Sequence, residues 1–333
     1  MAGRGRGWLL LPAGISLLVG IDAGLILLQA PAPLPMARLA EVHGPLMVLG
    51  FLGTLIALER AVALQAPWGY LAPVLLGLAG LSLIAGIPLA ATILLALQGL
   101  GTLIAVLFAL WQRRHDDAVL AQAFGACLAL LATVVLSRVE IAAVVPLLGA
   151  FIVVTIAAER IELSVLGRPA GATSMLLTMA LIVGGAATST LVEPRVGSRL
   201  FGAALLGLVA WLAPRDVAVR LARSVGLPRY SAVAMLAGYL WLAVAGGAWL
   251  VSGVTTDPGV YDVQVHAVFL GFAMSMVLAH APVILPGVLG RAIPYRGAFW
   301  IPLLALHASL LLRVAGDLAA APGVQVAGGV GTA

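Results

Sequence analysis

Long apolar windows recur along the whole chain, and each can cross a hydrocarbon core about 30 Å thick, which takes roughly 20 helical residues. Only 9% of the 333 residues are charged and 62% are hydrophobic, whereas a soluble domain is about 25% charged. A backbone crossing lipid must satisfy its own hydrogen bonds, so windows of this length are expected to be helices. Interruptions by Pro, Gly and charge predict eleven of them. They fall near Trp8–Ala30, Arg38–Leu64, Tyr70–Pro88, Ala91–Trp111, Ala118–Leu136, Ile141–Leu163, Ala172–Leu191, Arg199–Leu212, Ala232–Ser252, Tyr261–Leu285 and Ala298–Val314. The Gly- and Ala-rich tail Ala319–Ala333 reads as the stub of a twelfth, and Pro214–Ser231 as an arginine-rich surface loop. The expected fold class is all-α: a polytopic transmembrane helical bundle of eleven or twelve helices, with residues 1–333 as a single integral membrane domain. The arginines before Leu11 mimic a signal peptide, but the apolar run continues to Ala30, so a retained first helix is expected.

All 18 basic residues are arginine. The sequence pI of about 10.1 therefore reflects arginine-bearing loops; no aromatic-basic interleaving points to nucleic acid. With the N-terminus in the cytoplasm, thirteen of the 18 arginines fall on that side, including Arg4, Arg6 and Arg168. That bias predicts a multi-pass protein of a bacterial-type cytoplasmic (inner) membrane. The single cysteine, Cys127, excludes an intrachain disulfide, a CxxC site and covalent c-type haem. It is expected as a small buried hydrophobe.

Helices 2, 6 and 10 resemble one another. Gly50–Arg60 reads GFLGTLIALER, Ala150–Arg160 reads AFIVVTIAAER, and Gly271–His280 reads GFAMSMVLAH. A small residue and Phe are followed nine positions after the small one by Glu59, Glu159 or His280. The offsets suggest a parallel repeat every four helices, giving three four-helix units in a pseudo-threefold arrangement.

Ionisable groups at membrane depth are costly and mark candidate sites. His266 and His280 on helix 10 lie fourteen residues, or about 21 Å, apart, which separates two layers. His43 and His266 each lie five residues inside their helices, on the outer side, and Asp22, Gln264 and Arg313 fall near that level. Two imidazoles at matched depth suit the axial ligation of a b-type haem, with Arg313 first and Arg38 second as propionate partners. The plainer alternative is that each histidine hydrogen-bonds a neighbouring helix. Asp22 is expected as a helix-packing partner. The inner layer holds His280, His307, Glu59, Glu159 and Glu162, which suit copper or another transition metal, or a proton relay. For the glutamates, pairing with the adjacent Arg60 and Arg160 at the interface is the simpler expectation. His115, in WQRRHDD, is expected in a solvated loop. Phosphate-loop, HExxH and GxSxG motifs are absent.

The histidines near the outer ends of helices 2 and 10 resemble the haem-copper oxidase catalytic subunit plan. That resemblance implies low-spin haem ligation by His43 and His266 and a propionate role for Arg313. Gln264 stands where the oxidases carry a second haem ligand, and helices 6 and 7 have no copper-binding histidines, so an oxygen-reducing centre is not implied. HGPLMVLGFLG from His43, the run from His266 through LGRAIPYR, and LLLRVAGDL from Leu310 resemble the NnrS family of haem and copper membrane proteins. This implies haem b, copper, a redox partner, and electron transfer or nitric-oxide handling. Two rival readings stand beside it. One is a cofactor-free transporter or channel using Asp22, Glu59, Glu159 and the histidines, with breaks at Gly184-Gly185 and Gly246-Gly247. The other is a structural subunit of a membrane complex.

Overall fold

A computed structural model describes residues 7–163 and 171–332. Arg4, Arg6 and Arg168 lie outside the described residues. Among the described residues there is no strand, and eleven helices are long and apolar enough to cross a membrane. They are α1 (Gly7–Leu27), α2 (Ala37–Leu64), α3 (Pro67–Ala85), α4 (Leu89–Arg114), α5 (Asp117–Val135), α6 (Ile141–Leu163), α7 (Ala172–Ser189), α8 (Pro194–Arg215), α9 (Gly226–Ser252), α10 (Pro258–Gly287) and α11 (Gly297–Leu318). The chain is a polytopic, all-α membrane protein. The expected stub is a short helix, α12 (Pro322–Gly331), of 10 residues. At about 1.5 Å per residue it reaches roughly 15 Å, half a hydrocarbon core.

The chain forms two compact units. The first is built from the chain up to Val144 together with Ile284–Ala292; the second is built from Val145–Val283 and Ile293–Thr332. Within the first, α1 to α5 pack on neighbours in sequence. Gly50 of α2 and Gly80 of α3 meet almost backbone to backbone: a Cβ added at Gly50 would lie 3.1 Å from the Gly80 Cα and 3.0 Å from the Ser16 hydroxyl of α1. Small residues drive such approaches in membranes, where lipid removes the hydrophobic incentive to associate. Within the second unit α8 and α9 meet the same way, Gly202 against the backbone of Gly246 and Leu250. So do α11 and α12, through Gly316 and Gly328.

Two departures from regular helix stand out. Leu46–Gly53 in α2 and Ala267–Met274 in α10 are π-helical. Each has 8 residues, and both ends are displaced by the same 221 positions that relate Gly50 to Gly271. The kinship of helices 2 and 10 is therefore local geometry as well as sequence. Helix α6 is α-helical throughout, with Pro146 inside it. The breaks expected at Gly184-Gly185 and Gly246-Gly247 do not occur, since α7 and α9 run unbroken through them. Gly246 instead permits the contact with α8, and a helix interior keeps its hydrogen bonds without any need of a Cβ.

Cys127 corrects a second expectation. It is exposed on α5, because in a bilayer the outward face of a helix meets lipid and an apolar thiol gains little by facing inward.

Candidate functional site

The most concentrated polar chemistry lies in the second unit, on the last turns of α6, the segment after α8, and α9 and α10. Arg160, Asp216, Tyr239 and His280 are all buried, at 6%, 8%, 2% and 9% exposure. The Arg160 guanidinium forks onto Asp216, Nε to Oδ2 at 2.9 Å and Nη2 to Oδ1 at 2.8 Å. Asp216 also accepts from the Tyr239 hydroxyl at 2.6 Å and from the Ala218 backbone N–H at 2.8 Å. The third face of the guanidinium meets His280, Nη1 to Nε2 at 3.2 Å. His280 Nδ1 lies 2.7 Å from the Met276 carbonyl. A carbonyl only accepts, so Nδ1 carries the proton and Nε2 offers its lone pair to Arg160; the imidazole is neutral.

Each partner here satisfies what would otherwise be a costly buried group. Burial alone would raise the Asp216 carboxyl, but the Arg160 fork and charge, then the Tyr239 hydroxyl and the Ala218 N–H, outweigh it and hold the carboxyl below its ordinary range. A carboxylate depressed in the folded state stabilises fully above its unfolded-state value of 3.8, and that contribution fades as pH falls through the lower folded value. Asp216→Asn should therefore be less stable than the wild type at about pH 6, with the gap narrowing toward about pH 3. Thermal unfolding in detergent at both pH values checks this; a gap independent of pH would contradict it.

Neither Asp216 nor Tyr239 was expected from the sequence, where Pro214–Ser231 read as a surface loop. That is corrected: α8 runs to Arg215, a single turn covers Ala218–Leu221, α9 starts at Gly226, and Asp216 between them turns inward. A signal was present. Asp116-Asp117-Ala118-Val119 and Asp216-Val217-Ala218-Val219 recur at the offset of 100 that relates Glu59-Arg60 to Glu159-Arg160. In both, the aspartate accepts from the N–H two residues on. The expected pairing of adjacent glutamate and arginine holds for Glu59 and Arg60. Arg160 pairs with Asp216 instead, and Glu159 is buried beside it in the chain.

At the opposite end of α10 a second group forms. Arg313 forks onto Asp262, Nε to Oδ2 at 2.6 Å and Nη2 to Oδ1 at 2.7 Å. His266 Nδ1 lies 3.1 Å from both the Asp262 carbonyl and its Oδ1. The structure thus brings His266 and Arg313 onto one carboxylate. Gln264, 1% exposed, donates to the Gly253 carbonyl at 2.9 Å and ties the start of α10 to the end of α9. His307 accepts from the Trp241 indole at 3.0 Å, and so has a different partner from His280.

The remaining candidates belong to the first unit. His43 Nδ1 faces the Gly20 carbonyl at 2.8 Å. Asp22 accepts from the Leu34 N–H at 3.0 Å, fastening the connection after α1. Arg38 donates to the Leu83 and Ile84 carbonyls at 3.3 and 2.6 Å, helping to cap the end of α3. Both arginines expected at haem propionates thus have protein partners. His115 takes the left-handed position after α4, exposed. Among the described residues, no three His, Cys, Asp or Glu side chains gather as a metal site.

The chain matches, over residues 6–333, the family described as a domain of unknown function (DUF8744), and belongs to it. That membership adds no support to the resemblance to NnrS or to the haem-copper oxidases. No curated protein and no solved structure matches the chain.

Proposed function

We propose that this member of the DUF8744 family is a transporter or channel that works without a cofactor and moves protons, or a small solute together with protons. The observation that supports this reading is the buried Arg160–Asp216–Tyr239–His280 network within a membrane-embedded unit. Ionisable groups buried among membrane-spanning helices are rare and mark permeation or proton pathways by default. The network also includes the one side chain whose ordinary titration spans neutral pH. His280 accepts from Arg160 through Nε2 and donates through Nδ1, so a proton arriving at Nε2 and the Arg160 contact exclude each other. Protonation of His280 would release Arg160 from it and set two positive charges face to face. That gives the site two states coupled to proton occupancy.

Further polar groups follow along the same unit. Counting along α11, His307 with Trp241 lies about mid-helix, and Asp262, His266 and Arg313 lie at the far end. The π-helical segment of α10 lies between His266 and His280; π turns inside α-helices often accompany functional sites.

Purified protein in liposomes carrying a pH-sensitive dye tests the proposal. A proton or proton-coupled solute flux is expected, falling at least about tenfold in His280→Ala, with His115→Ala unchanged. No flux, or flux indifferent to His280→Ala, counts against it. A b-type haem spectrum in the purified protein, lost in His266→Ala, would replace this reading with haem binding.

A further inference from the structure

We propose that Asp317, at the end of α11, is a proton-binding carboxyl beside the Asp262–Arg313 pair. The role of that proton in transport rests on the reading above; its binding does not.

The argument starts from charge. Arg313 spends Nε and Nη2 on the two oxygens of Asp262, at 2.6 and 2.7 Å. His266 Nδ1, bonded to the Asp262 backbone carbonyl, also lies 3.1 Å from the same carboxylate. One cation and one anion are thereby matched. Asp317 follows Arg313 by one helical turn, on the same face of α11. It interacts with Asp262, Arg313 and Gln325.

Packing holds it there. Gly259, in the first turn of α10, lies so close that a Cβ added to it would sit 3.0 Å from the Asp317 carbonyl and 3.3 Å from its Cβ. Both Asp317 carboxyl oxygens are buried, and neither meets a donor in hydrogen-bonding geometry. A buried carboxylate without donors is costly, and two carboxylates sharing one cation do not both ionise. Keeping the proton removes both penalties.

The surroundings supply no other remedy. At the start of α10 the ionisable groups are its cap Asp257, then Tyr261, Asp262 and His266. Asp257 is occupied as the helix cap, accepting from the Gly259 and Val260 N–H groups, and it would repel a second anion. On α11 the cation is Arg313, already engaged. The short helix α12 contains no charged residue, only Gln325. A metal cation is disfavoured by the guanidinium fixed in the group, and among the described residues no metal-binding cluster forms. A proton is the ligand that fits.

Infrared spectroscopy of the purified protein at neutral pH tests this, reading the C=O stretch of a protonated carboxyl. The band should be present, shift on exchange into heavy water, and vanish in Asp317→Asn. It should also vanish in Asp262→Asn, where Arg313 becomes free to pair with Asp317 and ionise it. Asp317→Glu, which keeps the acid, should keep a band and guards against simple loss of fold. No band in the wild type, or one that survives Asp317→Asn, overturns the proposal. A band-positive protein without flux would overturn the transport reading alone, and an active transporter without the band would overturn only this one.

Discussion

Replacing Arg160 with alanine is expected to cost about 3–5 kcal/mol of folding stability, the usual penalty for stranding one member of a buried ion pair. Asp216 would be left with a buried negative charge and only Tyr239 and the Ala218 N–H to hold it. Asp216→Ala should cost a similar amount, since it strands the guanidinium against His280 alone. The double change to Arg160→Met and Asp216→Leu should cost much less than the sum of the two alanine variants. Apolar groups of similar size need no partners, and the pair repays its own desolvation before it stabilises anything. Reversible unfolding in mixed detergent micelles measures all of these. Additive losses would mean that the two side chains act separately, contrary to the forked geometry.

The second large effect is steric. Gly202→Ala is expected to cost about 1–3 kcal/mol, because the added methyl would lie 2.6 Å from the Gly246 carbonyl oxygen and against the Leu250 backbone. Backbone cannot swing aside as a side chain can, so α8 and α9 must part. Gly247→Ala, one residue from Gly246, meets nothing within 4 Å. There the substitution should be neutral or stabilise by up to about 1 kcal/mol through helix propensity. The same unfolding assay distinguishes them, and equal effects at the two glycines would refute the packing argument.

Helix number and approximate position were legible because they depend on hydropathy along the chain, although α8 and α9 reach beyond the expected Arg199–Leu212 and Ala232–Ser252 to Pro194–Arg215 and Gly226–Ser252. The predicted α6 matches the observed Ile141–Leu163, and α2 differs by one residue at its start. A helix that must span lipid announces itself residue by residue, since every backbone bond is internal to the segment. The kinship of helices 2 and 10 was also visible, through LGF at Leu49–Phe51 and Leu270–Phe272. What that pattern could not convey was the π geometry at both places. One residue's worth of slack in a helix leaves no mark on composition.

The polar sites were read less well, and for a single reason. Depth along a helix follows from counting residues, but partnership depends on which faces and connections meet. Counting assigned Arg313 and His266 to one level, and they do share Asp262. Counting also put His280 and His307 in one layer, yet one bonds Arg160 and the other Trp241. It missed Asp216, which sits in a segment whose arginines spoke for the surface.

The amino-acid sequence by itself determined that this chain lives in a membrane, roughly where the eleven spans among the described residues fall, and which few ionisable groups they carry. Those follow from local free energies of transfer and from hydrogen bonds closed within each helix. Only the tertiary structure decided that Arg160 answers to Asp216 and not to Glu159, that Arg313 is taken by Asp262, and that Asp317 is left beside a matched pair. Those are choices among partners far apart in the chain, set by helix rotation and by glycine contacts such as Gly259 against Asp317. No local property of the residues contains them.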